Sequence, residues 1–213
     1  MHRYQILIEY VGTNFIWWQI QSKGKSIQKL IQVKISKLLN EKVSIVGSGR
    51  TDSGVHAIEQ SAHFECKKKI TSLDKFLNSI NYFVNKKKIS IIDIKKRNIN
   101  FHARFSAKER IYKYIIFNRK SKPSIEKDKG WHIKNKLDVN LMKKGAKKLL
   151  GTKDFSTFRA STCNAKSPIK TMKSIKIKSA KNKIEIQFNS KSFLQQQVRS
   201  MVGCLKYLGE KKW

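Results

Sequence analysis

Residues 47–57 read GSGRTDSGVHA, a stretch that places one arginine, one aspartate and one histidine among three glycines. It lacks the Gly-Lys-Ser/Thr ending of a P-loop and the G-x-G-x-x-G spacing of a dinucleotide site. The candidate metal ligands in and after it are Asp52, His56, His63 and Glu65. They show no known ligand spacing, so a metal site is disfavoured. Without further information, the simplest interpretation is a turn in which Asp52 caps the following segment and pairs with Arg50.

The composition favours a polyanionic partner. The 213 residues include 47 Lys and Arg against 14 Asp and Glu, a formal net charge of +33. Nucleic acid is the first candidate for such a surface, and an anionic membrane is the second. A hydrophobic fraction of 39%, with 10% aromatic residues, indicates a folded chain rather than a disordered tail. Only eight of the basic residues are arginines, which suggests that these positions need a planar, bidentate group.

Cysteine usage and hydropathy predict a soluble, cytoplasmic protein. The three cysteines, Cys66, Cys163 and Cys204, are widely spaced and form no C-x-x-C pair. This spacing indicates neither a disulfide framework nor a thiolate zinc site, and it fits a reduced cytosol. No apolar run approaches the roughly 18 residues of a membrane span, and the first residues show no targeting pattern.

The hydrophobic periodicity predicts an α+β fold with a mostly antiparallel sheet, built from two similar halves. Strands are predicted at 3–10, 42–46, 59–66 and 89–94, at the end of 101–118, and in a hairpin over 171–190 with its turn at 180–182. Helices are predicted from the Ser26 cap to Leu39, over 72–83, over 138–150 with Gly151 closing it, and over 192–209. We place the two domains at residues 1–100 and 101–213.

A resemblance to a known family changes the interpretation of residues 47–57. GRTDSGVHA (49–57) matches the signature of the tRNA pseudouridine synthase A (TruA) family almost letter for letter. Four further blocks match in the same order, so that the resemblance runs from residue 3 to about 209. They are EYVGTNFIWWQIQ (9–21), FHARFSAKERIYKY (101–114), GTKDFSTFRAS (151–161) and FLQQQVRSMVG (193–203).

The resemblance implies a pseudouridine synthase fold with a central RNA-binding cleft, and a specific reaction. Uracil is detached from its ribose at nitrogen 1, turned within the site and rejoined through carbon 5. The family modifies uridines of the tRNA anticodon stem-loop, at positions 38–40. It works as a homodimer and needs no cofactor or metal.

The resemblance also assigns catalytic roles. Asp52 matches the catalytic nucleophile, which acts on the sugar or the base. Arg50 is expected to pair with that carboxylate and to occupy the space of a flipped base. Tyr112 matches the active-site tyrosine that stacks on uracil and assists proton removal from carbon 5, with Tyr114 as a core residue or alternative. Arg199 matches the arginine that holds the Asp52 region.

Further residues receive weaker assignments. Arg104, Arg110 and Arg159 are candidates for binding RNA phosphates or for internal ion pairs. His56 is expected to contact the backbone rather than to act as an acid or base. The chain departs from the family pattern at Val11, at Trp17 and at Gln196 with its neighbours.

The end of the chain raises an alternative function. Family members continue past V-G with another helix and a closing strand, so we expect this chain to be truncated, with an open sheet edge and an incomplete uracil pocket. The alternative to an active enzyme is therefore a basic tRNA-binding protein of the same fold that is catalytically incomplete.

Overall fold

The computed structural model describes residues 1–22 and 24–213. These residues divide into two units, Met1–Ala107 and Lys108–Trp213. The division falls between Ala107 and Lys108, whereas the sequence pattern placed it between residues 100 and 101.

The first unit is an antiparallel sheet with two helices. Its elements are β1 (His2–Tyr10), α1 (Ile27–Leu39), β2 (Ile45–Gly47), β3 (Ala57–Cys66), α2 (Leu73–Val84) and β4 (Ile89–Arg97). The strand order is β2-β3-β1-β4, and every neighbouring pair is antiparallel.

Alternation along β1 sets the core of the first unit. Every second residue is buried, and these residues are Tyr4, Ile6, Ile8 and Tyr10. Helix α1 buries Ile27, Ile31 and Ile35, which recur at the four-residue spacing of one helix face. It begins where predicted, because the side chain of Ser26 accepts a hydrogen bond from the backbone N–H of Lys29.

The start of β2 differs from the prediction. The sequence predicted a strand over 42–46, but β2 begins at Ile45. The backbone N–H of Val43 donates instead to the hydroxyl of Ser36 on α1, at 3.0 Å. The N–H of Ile45 likewise donates to the side chain of Gln32 on α1, at 3.2 Å, so side chains of the neighbouring helix bond the edge of this segment that faces away from β3.

The second unit is a five-stranded sheet with two helices. Its elements are β5 (Arg110–Asn118), β6 (Trp131–Ile133), α3 (Val139–Lys148), β7 (Gly151–Asp154), β8 (Ile169–Ala180), β9 (Lys183–Ser190) and α4 (Gln197–Gly209). The order is β6-β5-β9-β8-β7, with β5 and β6 parallel and the other pairs antiparallel. The predicted α+β class is confirmed.

The core of the second unit lies between its sheet and its helices. Strand β9 buries Ile184, Ile186 and Phe188 by period-two alternation. These side chains share one hydrophobic cluster with Met142 of α3 and Met201 of α4. The predicted hairpin is confirmed, since β8 and β9 flank Lys181 and Asn182.

Two helix ends in the second unit differ from the prediction. Helix α4 begins at Gln197 and not at residue 192, because Gln196 has a left-handed φ of 60° that a helix cannot continue through. The side chain of Gln197 folds back and accepts a hydrogen bond from the backbone N–H of Leu194. Helix α3 ends at Lys148, and Gly151, with φ +90°, starts β7.

A buried histidine ties the end of the first unit to its sheet. His63 on β3 is 4% exposed, and its Nδ1 accepts a hydrogen bond of 3.1 Å from the backbone N–H of Ala103. Burial, followed by electrostatic interactions with His102 and Arg3, lowers the pKa of His63 to about 4.

We predict a pH-dependent contribution of His63 to stability. The unfolded chain protonates this histidine near pH 6.5, whereas the folded chain does so only near its lowered pKa of about 4. Unfolding therefore takes up a proton between these values, and the free energy of unfolding falls as the pH drops through this window. In urea unfolding at pH 7 and pH 4.5, His63→Asn, which keeps an acceptor but does not titrate, should lose less stability than the unchanged chain. Equal losses would contradict this role.

Candidate active site

The loop from Ser48 to His56 connects β2 to β3 and carries Asp52. The backbone carbonyl of Asp52 accepts a hydrogen bond of 3.1 Å from the N–H of Val55, which closes a turn. Gly54 within this turn has φ +75°, a left-handed conformation that favours glycine. Asp52 itself is half-buried.

Thr51 fixes the backbone immediately before Asp52. It is 7% exposed, and its hydroxyl shares a buried hydrogen bond of 2.8 Å with the Tyr10 hydroxyl at the end of β1. Its carbonyl accepts a bond of 3.2 Å from the N–H of Trp18. The hydroxyl of Thr51 is thus held by the end of β1, and its carbonyl is held by the segment that follows β1.

Gly12 makes a second contact between this segment and the loop. Its N–H donates to Nδ1 of His56 at 3.1 Å, which confirms that His56 contacts the backbone. A methyl group added at Gly12 would lie 2.0 Å from the carbonyl oxygen of Val55. The two backbones therefore approach as closely as glycine allows.

The base of the loop is held by the sheet. The N–H of Ser48 donates to the carbonyl of Ser61 at 2.8 Å. The side chain of Gln60 donates to the carbonyl of Gly49 at 2.7 Å. Both partners belong to β3, so the loop carrying Asp52 is bonded to the sheet and to the segment after β1.

Arg50 does not form the expected ion pair. Among the ion pairs of residues 1–22 and 24–213, none joins Arg50 to Asp52. The side chain of Arg50 is exposed. The catalytic role assigned to it stays a prediction.

In the second unit, Tyr112 lies on β5 and is half-buried. Its ring makes an edge-to-face contact with Phe193, with ring centres 4.9 Å apart and planes at 88°. Across the sheet it is in register with the buried Phe188 of β9. These neighbours restrict the orientation of the tyrosine ring.

Tyr114 and Arg199 are electrostatically coupled within the same unit. Burial raises the pKa of the Tyr114 hydroxyl, and the positive charge of Arg199 on α4 offsets part of this rise. Tyr114 packs against the hydrophobic cluster of the unit, as expected for a core residue. The side chain of Arg199 is exposed.

Of the three predicted RNA-binding arginines, Arg104 belongs to the first unit, and Arg110 and Arg159 belong to the second. Arg110, at the start of β5, donates to the backbone carbonyl of Lys191. Arg104 lies over the ring of Phe105 at 5.8 Å. Arg159 is exposed and follows the short 3₁₀ turn Ser156–Phe158.

The residues that the sequence analysis did not single out are those that hold the loop. Tyr10, Gly12 and Thr51 lie within or beside the matched blocks, but nothing in their spacing shows that they touch. Phe193 is the first residue of another matched block. The aromatic character of Tyr10 and Phe193 was the only available signal.

Neither a cluster of metal ligands nor a membrane-spanning helix occurs among the residues that the structure describes. Across residues 1–22 and 24–213, no three His, Cys, Asp or Glu side chains gather closely enough to hold a metal ion. Over the same residues, no helix has the length and apolar character that crossing a membrane requires.

Comparison with known proteins defines the class. A family model for tRNA pseudouridine synthase matches residues 6–106 and 146–213. A tRNA pseudouridine synthase A of Pelagibacter ubique is 76% identical over all 213 residues, which cover 87% of that protein. A tRNA pseudouridine synthase A of Paramagnetospirillum magneticum is 41% identical over the same residues, which cover 83% of it. The chain therefore belongs to the tRNA pseudouridine synthase family, whose members are isomerases.

We predict that Gly12 is essential for seating the loop. Gly12→Ala places a methyl group against the backbone of Val55, and we expect the free energy of unfolding to fall by about 1–3 kcal/mol. Urea unfolding measures this change.

Gly203→Ala is the matched control, because a methyl group there meets no atom within 4 Å. Gly203 lies inside α4, where alanine should stabilise the helix by about 0.5–1 kcal/mol. Equal stability of Gly12→Ala and the unchanged chain would show that the close approach is not a constraint.

Proposed function

We propose that this chain converts uridine to pseudouridine on the 3′ side of the tRNA anticodon stem-loop. The observation that carries the proposal is the loop from Ser48 to His56, in which Thr51 is held on both sides and Asp52 keeps a half-buried side chain. Support comes from membership of the family and from the relatives named tRNA pseudouridine synthase A. The net charge of +33 supports a nucleic-acid substrate.

Asp52 is the proposed nucleophile. The reaction breaks the bond between the ribose C1′ and nitrogen 1 of uracil and forms a bond between C1′ and carbon 5. Carbon 5 loses a proton and nitrogen 1 gains one, so no oxidant, reductant or water is consumed. A carboxylate is ionised at neutral pH and can attack or assist departure of the base. Fixing its backbone through Thr51 limits the reorganisation needed at the moment of reaction.

Tyr112 and Arg199 are the proposed partners of this chemistry from the second unit. The ring of Tyr112, restrained by Phe193, is suited to stacking on uracil, and its hydroxyl is suited to accepting or relaying the carbon 5 proton. Arg199 supplies a cation, and within this unit its positive charge already lowers the pKa of the Tyr114 hydroxyl in part. Its proposed catalytic role is the one that the family resemblance assigns to it.

Access to a stacked uridine requires base flipping. Extrusion costs on the order of a few kcal/mol. In our proposal the exposed side chain of Arg50 fills the space that the base leaves. Contacts from basic side chains to RNA phosphates offset the cost, with Arg104, Arg110 and Arg159 among them. We further propose that the enzyme acts in the cytoplasm as a homodimer, and that it uses no cofactor.

The test compares the chain with Asp52→Asn on unmodified tRNA. We predict that the unchanged chain forms pseudouridine in the anticodon arm and that Asp52→Asn lowers the rate about a thousandfold or more. The affinity for tRNA should stay within about threefold, because the variant removes a reacting group and no phosphate contact. Site-resolved detection of pseudouridine and filter binding measure the two quantities.

Asp74→Asn is the matched control, since it makes the same change at an exposed position of α2 and should retain full activity. Activity in Asp52→Asn would overturn the assignment of the nucleophile. Binding without product from the unchanged chain would instead identify a catalytically incomplete tRNA-binding protein.

A further inference from the structure

Residues 101–106, FHARFS, form a turn in which every backbone N–H donates a hydrogen bond; we call it the 101–106 turn. The N–H of His102 donates to the Ser106 hydroxyl at 3.0 Å, and the N–H of Ser106 returns a bond of 2.8 Å to the His102 carbonyl. The N–H groups of Arg104 and Phe105 donate to Nδ1 of His102, at 3.2 and 3.4 Å. These bonds define the conformation of the turn.

The turn is also attached to the sheet of the first unit. Of the two remaining N–H groups, that of Phe101 donates to the carbonyl of Asn98 at 3.0 Å, and that of Ala103 donates to the buried His63 at 3.1 Å. The guanidinium of Arg3 on β1 donates to the carbonyl of Phe101. The guanidinium of Arg97 on β4 lies over the Phe101 ring at 5.4 Å. Three strands therefore hold the base of this turn in place.

The tip of this anchored turn presents an aromatic ring to solvent. Phe105 is 74% exposed. The His102 ring lies 4.4 Å from the Phe105 ring, with planes tilted by 32°, and Arg104 lies over the same ring. A single exposed apolar residue is ordinary on a protein surface. Phe105 differs from such a residue, because it lies on a turn in which every N–H is hydrogen-bonded and its ring is beside a guanidinium. The ring is therefore suited to contacting a partner.

The charge of the stretch that carries the ring favours one class of partner. From residue 94 to the end of the first unit at residue 107 there is no Asp or Glu, and the basic residues are Lys95, Lys96, Arg97 and Arg104. A flat apolar face among cations matches single-stranded or looped RNA, whose bases stack on aromatic rings while phosphates meet cations. A second copy of this chain that met the ring through the same face would bring these like charges together, which opposes self-association at this face.

We propose that Phe105 is an RNA-binding residue that stacks on an unpaired base of the tRNA substrate, with Arg104 contacting a neighbouring phosphate. The inference rests on the proposed tRNA substrate and adds a contact that the catalytic residues do not supply. The hydrogen bonds of the turn hold the backbone that carries the ring, and the contacts of the ring with His102 and Arg104 restrict its rotation, so less conformational entropy is lost on stacking.

The test uses Phe105→Leu and Phe105→Trp in filter binding of unmodified tRNA over a range of salt concentrations. Leucine keeps an apolar side chain without a π face, and we expect it to weaken binding about tenfold. Tryptophan keeps the face, and its affinity should stay within about twofold. Phe105→Leu should leave the salt dependence unchanged, whereas Arg104→Ala should reduce its slope by about one.

Ile99→Ala is the matched control, because Ile99 is an exposed apolar residue of the same basic stretch and should bind as the unchanged chain does. Unchanged affinity in Phe105→Leu would overturn the inference, as would equal loss in the leucine and tryptophan variants. A dimer that dissociates on Phe105→Leu, with tRNA affinity retained, would overturn it in favour of a protein contact.

The two experiments, pseudouridine formation and tRNA binding, distinguish failure of this inference from failure of the proposed function. If the unchanged chain forms pseudouridine while Phe105→Leu binds tRNA normally, only the inference fails. If Phe105→Leu weakens binding and Phe105→Trp does not, while no pseudouridine forms, the RNA contact holds and the proposed reaction fails.

Discussion

The buried hydrogen bond between Tyr10 and Thr51 is the contact on which the geometry of the candidate site depends. It joins the end of β1 to the residue before Asp52, at a separation of 41 positions in the sequence. A buried hydroxyl pair of this kind is costly to leave unsatisfied. The loop therefore has one favourable position relative to the sheet. This position also determines where the backbone of Asp52 lies.

The second constraint is steric. Gly12 and Val55 approach at a distance that no side chain permits, and His56 accepts the Gly12 N–H across the same gap. This explains why a loop rich in glycine, which would be mobile alone, is ordered here. The same design recurs in the 101–106 turn, where side-chain acceptors bind backbone N–H groups. In both places a few hydrogen bonds that involve side chains hold a segment that has no regular secondary structure.

Local patterns in the sequence predicted the regular elements well. The alternation of β1 and the Ser26 cap of α1 depend on residues close together in the chain, and both predictions are confirmed. The errors arose where distant or folded-back side chains compete with the backbone. The hydroxyl of Ser36 accepts the N–H of Val43 where β2 was predicted to begin. The side chain of Gln197 accepts the N–H of Leu194 within the predicted start of α4. The residues of the site were named from resemblance, but Tyr10 and Gly12, which hold the Asp52 loop, were found only in three dimensions.

We conclude that the Asp52 loop is held in one position on the sheet before RNA binds. Hydrogen exchange of the chain without RNA tests this directly, because the N–H groups of Gly12, Trp18 and Val55 donate to His56, Thr51 and Asp52. We predict that these three amides are protected to a degree similar to those of β1 and β3. Exchange at the rate of an unstructured chain, with protection appearing only after tRNA is added, would contradict the account.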